Sequence, residues 1–258
     1  MKASVIASAI ERMAPLSLQE DWDNSGFCIG DGNSEVHAAI VGFDCTPELI
    51  EEAVSVGADM VITHHPLIFG GIRKISGATL TGRTVIAAIR HGITVYACHT
   101  NMDKVLGGVS GAAASRIGLQ EVRVLDSDAD GNGLGIIGVL PQPMGPENFL
   151  ALLKRTLNLK AVRHSRILGT PVRTVALCGG SGRSLIAKAH ASGADVYVSG
   201  DITYHDFYAP DGMMIADIGH FESEVEIIGV ICDIVREKIP NFAVHTARSS
   251  TVNPVYYF

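Results

Sequence analysis

The 258-residue sequence has no long hydrophobic run and fewer basic than acidic side chains. No segment approaches the roughly 18 consecutive apolar residues that a membrane-spanning helix needs, so we expect no membrane partner. The 20 basic and 27 acidic side chains give a net charge of −7. Nucleic-acid binding depends on neutralising phosphates with Lys and Arg, so this balance argues against a nucleic-acid partner. The chain length suits one large domain or two modest lobes, and the hydrophobic residues, 47% of the chain, are enough for a sizeable core.

Cysteine is scarce and shows no spacing pattern. The five cysteines are odd in number and scattered, mostly within apolar segments: Cys28, Cys45, Cys98, Cys178 and Cys232. This distribution favours buried free thiols over a disulfide framework or a zinc site built from cysteine. The short apolar stretch after Lys2 is interrupted by Glu11 and Arg12, which argues against a secretory signal. We therefore expect a cytoplasmic protein.

Strand-like and helix-like segments alternate along most of the chain. Continuous apolar segments at 38–43, 59–63 and 94–98 predict buried strands, and amphipathic stretches of helical length separate them. The alternation resumes further on, with predicted strands at 134–140, 174–178, 194–198 and 214–218 and a long helix at 222–238. The pattern predicts an α/β fold with mainly parallel sheets.

A polar segment at 126–133 changes the composition and is either a lobe boundary or a hairpin loop. We place a first α/β lobe at residues 1–125 together with 220–258, and a second at 126–219. Segments 57–63 and 193–199 both contain Gly-Ala-Asp, then an apolar strand, then a polar residue. This echo indicates that the two lobes are similar.

Histidines and carboxylates follow the predicted strands, at the ends where open α/β sheets bind ligands. The candidate metal ligands are His64, His65, Asp103, His220 and Glu224. Neighbouring residues in an extended chain point in opposite directions, so we expect His64 and His65 to reach two different ions. His220 and Glu224 are four residues apart at a helix start and can face the same side.

The chemistry of this donor set favours a pair of cations. A carboxylate has two oxygens and can bridge two ions, which suggests Glu224 as the bridge and Asp103 as a terminal ligand. Three imidazoles and two carboxylates predict two divalent transition-metal ions per chain (Zn, Fe, Mn, Co or Ni) rather than Ca or Mg.

Other polar motifs leave alternatives open. His99 and His205 are candidates for orienting the ligands, for proton transfer or for a structural role. Segment 178–182, Cys-Gly-Gly-Ser-Gly, favours a tight strand-to-helix turn over a phosphate-binding loop, because it lacks the lysine and spacing of a P-loop. Segment 22–26, Trp-Asp-Asn-Ser-Gly, favours a turn over an active-site wall.

Three motifs together resemble the signatures of the NIF-three-like dinuclear metal-binding family, also called GTP cyclohydrolase 1 type 2-like. They are His64-His65-Pro66-Leu67, His99-Thr100-Asn101-Met102-Asp103 and Gly219-His220-Phe221-Glu222-Ser223-Glu224. Segments 22–26 and 253–255 resemble this family as well. The resemblance implies two similar α/β lobes, a metal site in the cleft between them and a ring-shaped homohexamer. Its metal ligands fall on the same five residues.

The donor set and the resemblance favour a metal-dependent hydrolase. It would use a metal-activated water on a small, nucleotide-like substrate. The family name points to ring opening of GTP, and hydrolysis of phosphoesters or other nucleotides fits the residues nearly as well. The alternative is a non-catalytic metal-binding scaffold or metal-handling protein that acts through partners, because the sequence contains no recognisable substrate-specificity motif.

Overall fold

The computed structural model describes all residues from Met1 to Phe258. Its helices and strands, in chain order, are α1 (Ala3–Glu11), β1 (Gly26–Ile29), β2 (Ala38–Gly42), α2 (Pro47–Ser55), β3 (Met60–Thr63), α3 (Leu80–Arg90), β4 (Thr94–Ala97), α4 (Thr100–Asp103), α5 (Val109–Ile117), β5 (Gln120–Ser127), β6 (Gly133–Met144), α6 (Pro146–Thr156), β7 (Arg163–His164), β8 (Val172–Ser181), α7 (Ile186–Ala191), β9 (Val196–Gly200), β10 (Met214–Asp217), α8 (His220–Glu224), α9 (Ile227–Lys238) and β11 (Ala243–Thr246). None of the helices has the length and apolar character needed to cross a membrane.

The chain divides into two compact units, each with its own sheet. The first unit comprises Met1–Met102 and Ile227–Pro254, and the second comprises Asp103–Glu226 and Val255–Phe258. Five of the nine strand pairings in the two sheets are parallel. The predicted α/β class with mainly parallel strands is confirmed.

The sheet of the first unit has five strands in the order β1-β4-β3-β2-β11. Strands β4, β3, β2 and β11 run parallel to one another, and β1 is antiparallel at one edge. Every residue of β2, β3 and β4 is buried, as their continuous apolar sequences predict. Helix α2 begins where the sequence indicates, with the Thr46 hydroxyl accepting a bond from the backbone N–H of Leu49 and with Pro47 in its first turn.

The sheet of the second unit has six strands in the order β5-β6-β8-β9-β10-β7. Its parallel core is β8-β9-β10, and its other pairings are antiparallel. Segment 126–133 holds the hairpin loop that joins β5 to β6, and Ser127 pairs with Gly133. Of the two interpretations left open for this segment, the hairpin is the one that the structure shows.

The unit boundaries differ from the predicted lobes at both ends. A boundary at 125/126 would separate β5 from β6, which pair along most of β5, and so the second unit begins earlier, at Asp103. The predicted helix at 222–238 is two helices, α8 and α9, and the chain passes from the second unit to the first between them. Helix α8 packs on β8 and β9 and therefore belongs to the second unit.

The five cysteines are free thiols, and four of them are buried. Burial raises the pKa of Cys45 to about 12. Burial also raises the pKa of Cys178 to about 12, and the nearby carboxylates of Asp103 and Glu224 add to this effect. The prediction of buried free thiols is confirmed for all but Cys28, which is half-buried.

The aspartates of the two Gly-Ala-Asp segments make equivalent hydrogen bonds in the two sheets. The Asp59 carboxylate, just before β3, accepts bonds from two backbone N–H groups at the start of β2 (2.8 and 3.3 Å). The Asp195 carboxylate, just before β9, accepts bonds from two backbone N–H groups at the start of β8 (2.8 and 2.8 Å). Each carboxylate thus ties a strand to its parallel neighbour, which gives a physical basis for the similarity of the lobes.

We expect Asp195→Ala to lower the free energy of unfolding by about 2 kcal/mol, because two backbone N–H groups lose a charged acceptor. Asp195→Asn should cost less, since its amide oxygen can still accept both bonds. Urea unfolding of the two variants measures the difference. Equal stabilities of the alanine and asparagine variants would contradict the role assigned to this carboxylate.

Candidate metal centre

Three imidazole rings lie side by side at the C-terminal ends of β3 and β4 in the first unit. His64 and His65 follow β3, and His99 follows β4, its parallel neighbour. Ligand atoms of the three side chains all lie within 4.8 Å of one another. His64 is fully buried and His99 nearly so. Three imidazoles at this spacing form a donor set suited to Zn, Fe, Cu or Ni.

The rings of His64 and His65 lie next to each other, which differs from the expectation that they point in opposite directions. Their centroids are 4.9 Å apart. Strand β3 ends at Thr63, and the Thr63 hydroxyl donates to the carbonyl oxygen of His65 (2.8 Å), so the chain turns here. The buried Phe43 ring packs against both imidazoles. The alternation rule fails because these residues are no longer in an extended strand.

Each of the three rings has an oxygen acceptor at Nδ1. The acceptors are the Cys98 carbonyl oxygen for His64 (3.0 Å), the Asp44 carboxylate for His65 (2.8 Å) and the Asp23 carboxylate for His99 (2.8 Å). A ring that donates its Nδ1–H keeps its lone pair on Nε2. Histidines that bind metals are commonly oriented in this way by a carboxylate or a backbone carbonyl. The same bonds therefore fix both the tautomer and the orientation of each ring.

The Asp23 carboxylate accepts hydrogen bonds from several groups in addition to the His99 ring. Its side chain is buried and accepts from the His99 ring, the Ser25 hydroxyl (2.9 Å) and the backbone N–H (3.1 Å) and hydroxyl of Thr100. Burial by itself raises the pKa of Asp23, but the hydrogen bonds from His99 and Thr100 outweigh it and hold the pKa well below its usual range. Asp23 therefore stays ionised. Segment 22–26 therefore also orients His99, through the Asp23 carboxylate.

The second unit brings together the other three predicted ligands. Helix α8 places His220 and Glu224 one turn apart, with His220 Nε2 3.0 Å from Glu224 Oε2. Carboxylate oxygens of Asp103 and Glu224 lie within 4.8 Å of each other. Two carboxylates this close repel each other unless a proton or a cation lies between them, and Glu224 is buried, which strengthens the repulsion. These residues fit a divalent cation.

His220 follows the same orientation rule as the histidines of the first unit. Its Nδ1 lies 2.8 Å from a carboxylate oxygen of Asp201, which comes directly after β9. Asp201 has a left-handed backbone conformation (φ 52°), which is costly for any residue with a Cβ. The backbone is thus strained at the residue whose carboxylate orients His220.

Two glycines allow α8 to lie against the ends of β8 and β9. A Cβ at Gly180, where φ is +61°, would collide with a carboxylate oxygen of Glu224. A Cβ at Gly200 would lie 2.8 Å from the backbone of His220. Gly179 and Gly180 of segment 178–182 therefore make room for Glu224. The predicted strand-to-helix connection is present, since β8 ends at Ser181 and the 3-10 helix Arg183–Leu185 follows.

His99 and His205, whose roles the sequence left open, have different surroundings. His99 belongs to the group with His64 and His65. His205 is exposed on the 3-10 helix Tyr204–Phe207, with its ring edge-on to Tyr204, and is not part of any histidine–carboxylate group.

Sequence reasoning missed the orienting carboxylates. Asp44 and Asp201 follow strands β2 and β9, so the strand-end rule that selected the histidines could also have found them. Asp23 follows no strand, and only its partners reveal its role.

We predict that Asp44→Asn weakens divalent-metal binding about 10- to 100-fold, because His65 loses the charged acceptor at its Nδ1. Competition with a chromophoric chelator measures the change. Asp59→Asn is the matched control: Asp59 binds the Nδ1 of the exposed His37 at 2.7 Å, outside the candidate ligands. A comparable loss of affinity in both variants would contradict a specific role for Asp44.

The chain is similar to members of one protein family over almost its whole length. A sequence model of the Duf34/NIF3 (NGG1p interacting factor 3) family matches residues 1–254. A Clostridium perfringens protein named GTP cyclohydrolase 1 type 2 homolog is 35% identical over 243 residues, and the match covers 93% of each chain. A solved Bacillus cereus protein related to NIF3 has a TM-score of 0.92 at 25% identity and covers 100% of this chain and 99% of its own. A Staphylococcus aureus hypothetical protein gives a TM-score of 0.92 at 27% identity, with the same coverage.

Proposed function

The chain belongs to the Duf34/NIF3 family, and from this premise we propose that it is a metal-dependent hydrolase. Its metal ligands are His64 and His65 of the first unit with Asp103, His220 and Glu224 of the second, and they bind two divalent transition-metal ions. The sequence spacing and the family resemblance support this choice of residues.

One observation above the others supports metal binding. Each histidine among these ligands has an oxygen acceptor at Nδ1, provided by Cys98, Asp44 or Asp201. A metal that binds at Nε2 needs the proton on Nδ1, and these acceptors set that tautomer on all three rings. The close carboxylates of Asp103 and Glu224 support it further, because a cation would offset their repulsion.

Two divalent cations in such a site supply positive charge for a developing oxyanion and lower the pKa of a bound water. Glu224 offers two carboxylate oxygens and would hold the cations together with Asp103. Asp23, held ionised, accepts from Nδ1 of His99 and leaves Nε2 as the atom that takes up or returns a proton. His99 is therefore the proposed proton-transfer residue.

The proposed substrate is a nucleotide or a related phosphoester. The support is the name of the relatives, GTP cyclohydrolase 1 type 2 homolog, together with the suitability of a dinuclear centre for hydrolysis.

We expect elemental analysis of the purified protein to give about two transition-metal ions per chain. The metal-loaded protein should hydrolyse GTP, another nucleotide or a phosphodiester. Glu224→Gln should lower turnover at least about 100-fold, because the cations lose a charged ligand. His37→Asn, a change at an exposed histidine far from the ligands in sequence, should leave turnover unchanged.

Tightly bound metal with no turnover on any of these substrates would overturn the hydrolase and favour the non-catalytic scaffold. Turnover that survives Glu224→Gln would overturn the assignment of the site.

We also propose that the protein is a ring-shaped homohexamer located in the cytoplasm, on the strength of the family resemblance and the free thiols. Light scattering coupled to size-exclusion chromatography should give about six times the mass of one chain. A monomer or dimer at micromolar concentration would contradict the hexamer.

A further inference from the structure

The single tryptophan of the chain stands exposed next to the histidine group of the first unit. Trp22 is 62% exposed, and its ring centroid lies 5.9 Å from that of His99, at an interplanar angle of 73°. Burying an indole stabilises a protein by several kcal/mol, and this one is left largely in solvent. An exposed aromatic residue beside a polar site is typical of ligand-binding surfaces.

The position of Trp22 is fixed by its neighbours in the chain. Asp23 is bonded to His99, Ser25 and Thr100, as described above. The Asn24 side chain donates to the carbonyl oxygen of Ile68 (2.6 Å), which links this loop to the loop after β3. Trp22 is therefore held on a rigid support beside the histidines.

A second exposed aromatic ring contacts the same histidine. Phe69 is 52% exposed and follows Ile68, the residue that Asn24 contacts. Its ring centroid lies 5.5 Å from that of His99 at an angle of 88°, and 6.4 Å from that of His65. Neither aromatic ring is stacked face to face on an imidazole, so each presents ring surface to solvent. The Asn24 bond fixes the spacing of the two loops that carry them.

We propose that Trp22 and Phe69 form a subsite for a flat heteroaromatic ring, and that its ligand is a nucleobase. Every base has a π-face, and stacking on aromatic side chains binds bases without a hydrogen-bond code. An aliphatic group would gain apolar contact with these rings but no stacking energy. Phe69 and His65 also line a cavity of about 380 Å³, together with Asp44, Thr46 and Thr81, and this cavity leaves room for the rest of a nucleotide.

This inference deepens the proposed function, because it names a purine or pyrimidine nucleotide as the substrate class. Base binding itself does not need the metal, so the two proposals can fail separately.

The first experiment uses the tryptophan fluorescence of the full chain, excited at the red edge of the absorption band where the six tyrosines do not absorb, so that it reports on Trp22 alone. Titration with guanosine 5′-monophosphate should quench the emission saturably, with and without prior metal removal. Ribose 5-phosphate, which has no base, should leave the emission unchanged. Equal quenching by both compounds, or no quenching by the nucleotide, would overturn the inference.

The second experiment measures binding of guanosine 5′-monophosphate by calorimetry in aromatic-to-aliphatic variants. Phe69→Leu and Trp22→Leu should each raise the Kd about 10- to 100-fold, because they keep apolar bulk and lose the stacking face. Trp22→Phe should restore most of the affinity. Ile89→Ala, at a 59% exposed residue of α3, is the matched control and should leave the Kd unchanged.

Two outcomes would assign the change in nucleotide affinity to a cause other than stacking on Trp22 and Phe69. A loss of bound metal in Trp22→Leu would mean that Trp22 acts by supporting the histidine group of His64, His65 and His99, and the subsite would be wrong. A rise in Kd for Tyr208→Ala, in the exposed aromatic cluster of the second unit, with none for Phe69→Leu would place the base there instead. Failure of the hydrolase proposal would instead appear as intact, Phe69-dependent base binding without turnover.

Discussion

The candidate site depends on one kind of bond, the hydrogen bond between a histidine Nδ1 and a fixed oxygen. Without it an imidazole can rotate and exchange tautomers, and its Nε2 lone pair has no set direction. Asp44, Asp23 and Asp201 provide this oxygen as carboxylates, and Cys98 provides it as a backbone carbonyl. Each of these residues lies on a loop or just after a strand.

These acceptors are available because of the sheets. In each unit, parallel strands end side by side, so a residue just after one strand can reach a residue just after its neighbour. Asp44 follows β2 and meets His65 after β3, while Asp201 follows β9 and meets His220 after β10. The pairing of an acid with a histidine across adjacent strand ends thus occurs once in each unit, alongside the shared Gly-Ala-Asp segments that tie the strand starts.

Much of this was accessible from the sequence. The continuous apolar segments gave β2, β3 and β4 nearly to the residue, because fully buried parallel strands leave a strong signal. The grouping of His220 with Glu224 followed from helical spacing. The side-by-side packing of the His64 and His65 rings was not predictable, because both rings contact Phe43, which follows β2. No local composition marks the end of the first compact unit at Met102, since the pairing of β5 with β6 places β5 in the second unit.

The left-handed conformation of Asp201 has a consequence for engineering this protein. Glycine adopts that backbone conformation without steric cost, so a search for thermostable variants would favour glycine there. The same replacement would remove the carboxylate that holds the His220 ring. A glycine at position 201 would therefore make the protein more stable and leave the His220 ring without its acceptor.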